Sequence, residues 1–171
     1  QHPNIQVKLF NPYRFRKYRA LDMIFDLKRI NRRMHNKSFI TDHQVALIGG
    51  RNMTNQYYNV SDSYQFSDVD VMLFGTAVND ISQSFDDYWN HEYAYDVREI
   101  VNPKSHRLSY ESLKQQLDDH YKKSTVQNYL DLTSESTAIT SLMNREIALD
   151  WVKAEVVKDS PDKVKAKAKK H

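Results

Sequence analysis

Apolar residues recur along this chain in two kinds of pattern, and the two kinds predict different elements. Four short segments have the alternating or continuous apolar pattern of strands: residues 5–10, 37–41, 45–48 and 69–74. The last is a continuous apolar run closed by Gly75, which predicts a buried strand. A polar turn at Asp42-His43-Gln44 separates the second and third strands, so these two are expected to form a hairpin.

Helical spacing is visible between and after these strands. Three segments repeat their apolar residues on one helical face: 20–34, 78–89 and 108–122. Ser134 or Ser136 can cap a further helix that runs to residue 147, and residues 151–157 have the pattern of a last strand. The tyrosine-rich segment 55–66 and the segment 93–107 are expected to be loops. Strands interleaved with helices predict a layered α/β fold.

Composition excludes some functions and leaves others open. The 171 residues suit one domain, with 40% hydrophobic and 27% charged residues. The net charge of +3 is too small to indicate a nucleic-acid partner by itself. The chain has no cysteine, which excludes disulfides, thiolate metal sites and a cysteine nucleophile. Because the chain starts at Gln1 and ends in a lysine-rich stretch, we expect a piece of a longer protein, with a catalytic half at 1–158 and a basic tail at 159–171.

His35, Lys37 and Asn52 carry the candidate chemistry. On extended chain, residues two apart project to the same face, so His35 and Lys37 are expected to lie side by side. A neutral imidazole is nucleophilic near pH 7, and an ammonium beside it can bind the oxygens of a phosphate. The return of the hairpin brings Asn52 near the same end, where its amide can donate another hydrogen bond. Gly49 and Gly50 remove side chains that would block a close approach of the backbone.

The spacing of these residues, His35-x-Lys37-x4-Asp42-x6-Gly49-Gly50-x-Asn52, resembles the signature of the phospholipase D superfamily. The segments around it are similar to the bacterial cardiolipin synthase C-type branch. Further similarity to this branch lies in Asp68 with Asp70 and Gly75, in Phe85 and Trp89, and in Trp151 with residues 159–163. The resemblance implies a layered phospholipase D-like fold, a mixed sheet flanked by helices, of which this chain holds one incomplete half.

The resemblance also implies a role for each matched residue. His35 matches the histidine that attacks phosphorus or, in the partner half, protonates the leaving alcohol, and Lys37 and Asn52 match the phosphate-binding pair. Asp42 matches an aspartate that mainly holds the turn. Asp68 matches the acidic residue that orients the histidine, although Asp70, two positions on, shares its face on a strand.

The function that follows is a phosphatidyltransferase that makes cardiolipin from phospholipids through a phosphohistidine, with no metal or other cofactor. One histidine, one lysine and one asparagine serve any phosphodiester, so a phospholipase D or nuclease that hydrolyses its substrate stays an alternative. The third alternative is a catalytically silent half that binds phosphate. The expected partners are a phospholipid substrate and an anionic membrane surface, which the basic segment 14–19 would contact unless it is only a solvated loop. Nucleic acid is the less favoured partner.

A single copy of the motif is the main departure from the family pattern. Of the other six histidines only His120 has a lysine two residues later, and Gln127 stands where the motif requires an aspartate. The family, in contrast, builds its site from two complete motifs. The second would come from another half of the same parent chain or from a homodimer mate. We therefore expect the parent to be a peripheral protein of the bacterial inner membrane, and this chain alone to be soluble and inactive.

Overall fold

The structure of the chain is a computed structural model that describes residues 3–15, 18, 20, 24–52, 54, 67–101 and 109–165. The chain divides into two units. The first comprises Gln1–Asn52, Asp68–Ser105 and Ala154–His171, and the second comprises Met53–Ser67 and His106–Lys153. The division into a catalytic half at 1–158 and a basic tail at 159–171 stays a prediction.

Five strands and six α-helices are present in the described ranges. In chain order they are β1 (Lys8–Phe10), α1 (Leu27–Ile30), β2 (Ser38–Thr41), β3 (Val45–Gly49), β4 (Asp70–Phe74), α2 (Ala77–Trp89), β5 (Ala94–Asp96), α3 (Val97–Ile100), α4 (Tyr110–Tyr121), α5 (Ser124–Ser134) and α6 (Thr137–Met143), followed by a 3-10 helix at Pro161–Val164. β1 pairs with β5, and β2, β3 and β4 form a sheet in that order. All these pairs are antiparallel. The α/β fold with helices flanking its sheets is therefore confirmed.

The core of the first unit lies between α2 and one face of the β2–β3–β4 sheet. Val78 and Ile81 of α2 pack against Ala46 of β3, and Val78 and Ala46 are fully buried. The small Ala46 side chain lets the helix approach the centre of the sheet closely. The side chains around this contact are partly buried and apolar: Ile40, Ile48, Leu73 and Val156. Gly75, at φ 82°, makes the turn from β4 into α2 in a conformation that a side chain would disfavour.

The opposite face of the same sheet is open. Phe39, Leu47 and Met72 lie in one row across β2, β3 and β4, and their exposed fractions are 69%, 36% and 42%. The prediction that β4 is a buried strand is therefore wrong, since only its α2-facing side is covered. Strands with one covered face normally alternate apolar and polar residues, and β4 does not.

The remaining element predictions were partly right. β1 and β2 start later than predicted. The helical pattern at 20–34 contains α1, and part of that segment lies outside the described residues. The segments 78–89 and 108–122 correspond to α2 and α4. The predicted loop at 93–107 contains β5 and α3. The predicted loop at 55–66 lies outside the described residues. No strand forms at 151–157, and α5 was missed because its sequence is largely polar.

The segment after residue 154 is bound to the side of α2. The Tyr88 hydroxyl donates a hydrogen bond to the Asp159 carbonyl at 3.3 Å, and its partial burial raises the pKa of the phenol. Lys158 donates to Asp87 at 2.8 Å, and this hydrogen bond lowers the pKa of the Asp87 carboxyl. Trp151 and Val157 are almost fully exposed, whereas Val156 between them packs against the core.

The second unit contains the helices α4, α5 and α6. Ser109 caps α4, and its hydroxyl oxygen accepts from the Ser112 N–H at 3.1 Å. None of the described residues of these helices is buried. The apolar stripe that predicted α4 is thus present but uncovered. Within the ranges given above, no helix combines the length and the apolar character needed to cross a membrane.

We expect Val78→Ala to lower the free energy of unfolding by about 2 kcal/mol, because two buried methyl groups are lost at the contact between α2 and the sheet. Urea unfolding followed by circular dichroism measures the change. The matched control is Val157→Ala, where the side chain is 92% exposed and the change should stay within about 0.5 kcal/mol. Equal losses in the two variants would contradict the position of the core.

Candidate functional site

His35 and Lys37 lie at the start of the β2–β3 hairpin, and Asn52 follows its end. β2 begins at Ser38, so both side chains project from the segment just before the strand and not from the strand itself. The His35 side chain is exposed and that of Lys37 is partly buried. An antiparallel hairpin returns to the end where it started, and β3 ends at Gly49, three residues before Asn52. The hairpin therefore puts the three predicted phosphate-site residues at one end.

The Lys37 ammonium lies against the His35 ring. Its Nζ is 3.2 Å from Nδ1 and 3.3 Å from Nε2, and it donates a hydrogen bond to the His35 carbonyl at 2.9 Å. A position equally far from the two ring nitrogens is not on the lone-pair direction of either one. The positive charge therefore lies beside an exposed ring, an arrangement that suits a nucleophile next to an anion-binding group.

A buried polar contact holds the chain just before His35. The Asn11 amide donates to the Arg29 carbonyl at 2.8 Å and to the Arg32 carbonyl at 2.9 Å, at the end of α1. The Arg29 guanidinium donates back to the Asn11 side-chain oxygen and to the Pro12 carbonyl. Asn11 and Arg29 are both buried, and Asn11 has a φ of 51°, a value that asparagine adopts more readily than most residues. This pair could not be predicted from the sequence, because neither residue is part of an apolar periodic pattern.

Gly49 and Gly50 make room for two carboxylates. A Cβ at Gly49 would overlap the Asp70 carboxylate, and a Cβ at Gly50 would overlap that of Asp68. Gly49 is the direct cross-strand neighbour of Asp70 in the β3–β4 pair. The groups that approach the two glycines in the structure are the carboxylates of Asp70 and Asp68. The close approach of the backbone to a phosphate stays a prediction.

Arg51 bridges the two strand ends. Its Nε lies 2.9 Å from Oδ2 of Asp70, close enough for an ion pair although the N–H is not aligned for a hydrogen bond. Its Nη2 donates to the Asp68 carbonyl at 3.3 Å. The sequence pattern assigned no role to Arg51, which stands between Gly50 and Asn52.

The two acidic residues differ in what they contact. Asp70 pairs with Arg51, whereas the Asp68 carboxylate accepts from the Val69 N–H at 2.8 Å. Within the part of the chain that the structure describes, neither carboxylate hydrogen-bonds to the His35 ring, whose contacts are to Lys37. The orientation of His35 by Asp68 therefore stays a prediction. The Asp70 carboxylate already forms an ion pair with Arg51.

Asp42 lies apart from the other predicted site residues. It is exposed in the turn at the far end of the hairpin, where Gln44 N–H donates to the Thr41 carbonyl at 2.9 Å. Its φ of 49° and that of His43, 54°, are in the left-handed region. Its role in holding the turn stays a prediction. Among the residues described, no three His, Asp or Glu side chains are placed to hold a metal ion together.

Comparison with known proteins relates the chain to a lipid enzyme. It is 36% identical over 170 residues to Cardiolipin synthase C of Escherichia coli, an alignment that covers 99% of this chain and 36% of the relative. Two uncharacterized proteins from two strains of Helicobacter pylori are each 42% identical over 90 residues, which is 52% of this chain and 18% of each relative. The chain thus spans about a third of the length of the Escherichia coli relative. No protein-family model and no solved structure matches the sequence.

We expect the exposed His35 ring to react with diethyl pyrocarbonate faster than His91, because the reagent attacks neutral, accessible imidazole. The His91 side chain is 10% exposed and lies 3.3 Å from the Asp162 carboxylate. Peptide mapping by mass spectrometry measures both rates, with the exposed His120 of α4 as the reference for full access. A rate at His35 as low as that at His91 would show that the candidate site is closed.

Proposed function

We propose that the protein containing this chain, a relative of Cardiolipin synthase C, is a phosphatidyltransferase that makes cardiolipin from phospholipids through a phosphohistidine intermediate. The observation that carries the proposal is the exposed His35 ring with the Lys37 ammonium beside it, at the end of the hairpin to which Asn52 returns. The similarity along 170 residues supports a lipid as substrate. The place of action is then the surface of the bacterial inner membrane, as a peripheral protein.

The two half-reactions use the same end of the hairpin. A ring nitrogen of His35 attacks phosphorus, a P–N bond forms, and the P–O bond to the leaving glycerol breaks as a general acid protonates that oxygen. The hydroxyl of a second phospholipid then attacks phosphorus, the P–N bond breaks, and the former acid accepts the hydroxyl proton. Lys37 and Asn52 stabilise the negative charge on the non-bridging oxygens throughout.

The general acid has to come from a second His-x-Lys-x4-Asp motif, because this chain holds only one complete copy and its other His-x-Lys, at His120, lacks the aspartate. We assign it to another part of the same protein or to a second copy placed across a two-fold axis. His35 cannot act as nucleophile and as the acid on the leaving group's side at once. The isolated 171-residue chain is therefore expected to transfer phosphatidyl groups far more slowly than the full-length protein.

A second candidate is a half-domain that binds phosphate without turning it over. The single complete His-x-Lys-x4-Asp motif favours it, because one motif supplies a binding site but not a complete acid–base pair. The two candidates differ in one observable: only the transferase forms a covalent phosphohistidine. Hydrolysis by a phospholipase D gives the same intermediate but releases phosphatidic acid instead of cardiolipin.

The full-length protein should convert labelled phosphatidylglycerol in vesicles to cardiolipin and glycerol. His35→Ala should lower the rate by more than about 1,000-fold, because the nucleophile is removed. The matched control is His120→Ala, an exposed histidine of α4 that should leave the rate unchanged. Thin-layer chromatography separates cardiolipin from phosphatidic acid, and acid-labile label on the protein reports the phosphohistidine. Turnover that survives in His35→Ala would refute the proposal.

Asp68→Asn should reduce kcat about 100-fold or more, because the amide cannot stabilise the imidazolium that forms when His35 accepts a proton. Asp70→Asn should cost less, because the carboxylate of Asp70 is paired with Arg51 and not with the ring. Both variants are assayed at saturating phosphatidylglycerol in the full-length protein. Equal losses, or a larger loss at Asp70, would reverse the assignment of the orienting carboxylate.

A further inference from the structure

We infer that Arg51 is a positioning residue, which aims the Asn52 amide at a bound phosphate by tying the end of β3 to the start of β4 through Asp70. The inference rests on the proposed function in one respect, the role of Asn52 as a phosphate ligand. It adds a residue, and an ion pair, to which neither the sequence pattern nor the similarity to known proteins gives a role.

The first support is the pair of contacts that Arg51 makes. Nε reaches the Asp70 carboxylate at 2.9 Å, and Nη2 reaches the Asp68 carbonyl at 3.3 Å. A guanidinium is planar and rigid, so two contacts along its edge fix the direction of the whole side chain. The Arg51 side chain is 38% exposed and that of Asp70 29%, but Nε itself is buried. The pair is therefore partly shielded from water, and its attraction is screened less than that of a fully exposed pair.

The second support is the space left for Asp70. Its carboxylate lies where a Cβ of Gly49 would be, directly across the β3–β4 ladder. With any other residue at position 49, Asp70 would have to move away from Arg51. Gly49 thus makes the ion pair between Asp70 and Arg51 possible, because it leaves room for the Asp70 carboxylate.

The third support is the state of Asn52. It lies outside any strand or helix, its side chain is exposed, and in the described part of the chain that side chain has no hydrogen-bond partner. The amide is thus available for a ligand, but no hydrogen bond from the described residues fixes its direction. Arg51, its direct neighbour, is attached to two residues of the strand start. Fixing the backbone at Arg51 limits the directions in which the Asn52 amide can point.

The test measures phosphate affinity and turnover separately in the full-length protein. Isothermal titration calorimetry with inorganic phosphate gives Kd, and the vesicle assay gives kcat and KM. Arg51→Leu and Asp70→Asn should each raise the Kd for phosphate about 10-fold, because the Asn52 amide loses its fixed direction. Arg51→Lys keeps the charge but reaches only one partner, so it should give a smaller rise. Gly49→Ala should match Asp70→Asn, because the added methyl displaces the same carboxylate.

A second arm separates positioning through Asn52 from a general loss of structure. In the Asn52→Ala background, Arg51→Leu should raise Kd no further, because the group that Arg51 positions is already gone. The matched control is another Arg–Asp pair of the first unit, Arg98 with Asp96 at the start of α3. Arg98→Leu should leave the phosphate Kd unchanged.

The outcomes are distinct. An unchanged Kd in Arg51→Leu, additive effects with Asn52→Ala, or an equal effect of Arg98→Leu would each overturn the inference and leave the proposed transferase standing. Failure of the wild-type protein to bind phosphate would overturn it as well, since no phosphate would then be held at Asn52. Phosphate binding that depends on Arg51 without lipid turnover would refute the transferase and support the positioning role.

Discussion

The register of the β2–β3–β4 sheet is the constraint on which the rest of the site depends. Successive side chains of a strand point to opposite faces, so a slip of one residue would exchange the two faces of the strand. In the observed register Ala46 faces α2, while Gly49 lies opposite Asp70. The contact of Ala46 with Val78 and Ile81 penalises any slip, because it would bring a larger or polar residue under the helix. The packing of the core thereby also determines which carboxylate meets Arg51.

The glycine pair at the end of β3 has a different role in the structure from the one that its sequence pattern indicates. Two adjacent glycines before an asparagine indicate a tight turn or room for a ligand. In the structure that room is occupied by Asp68 and Asp70, which lie over Gly50 and Gly49. A carboxylate placed on glycine backbone needs a positive partner or a donor, and here Arg51 and the Val69 N–H supply them. The charge near the candidate site is thus set by β4 as much as by the hairpin itself.

Local pattern was sufficient for the hairpin, for α2 and for α4, because each depends on periodicity within a short segment. It failed where the outcome depended on what covers a residue. The apolar run of β4 predicted a buried strand, but β4 is covered on one face only. The apolar residues of 151–157 predicted a last strand, but none forms there and Trp151 is 90% exposed. It also failed for contacts between segments distant in sequence. The pairing of Asn11 with Arg29, and of Arg51 with Asp70, follows from register and packing, which no single segment encodes.

The exposed end of the β2–β3 hairpin, where His35 lies, is consistent with a site to which a second motif contributes the remaining groups. A nucleophile has to be exposed to meet a phosphodiester, and His35 is exposed, with its charge partner Lys37 already in contact. An acid for the leaving oxygen must stand on the opposite side of phosphorus, in line with the attacking nitrogen, and therefore some distance from His35. The exposed row of Phe39, Leu47 and Met72 lies on the sheet face opposite α2, the same face as Asp70. If the segment that completes the proposed site also covered this row, the burial of its apolar surface would offset part of the cost of assembly.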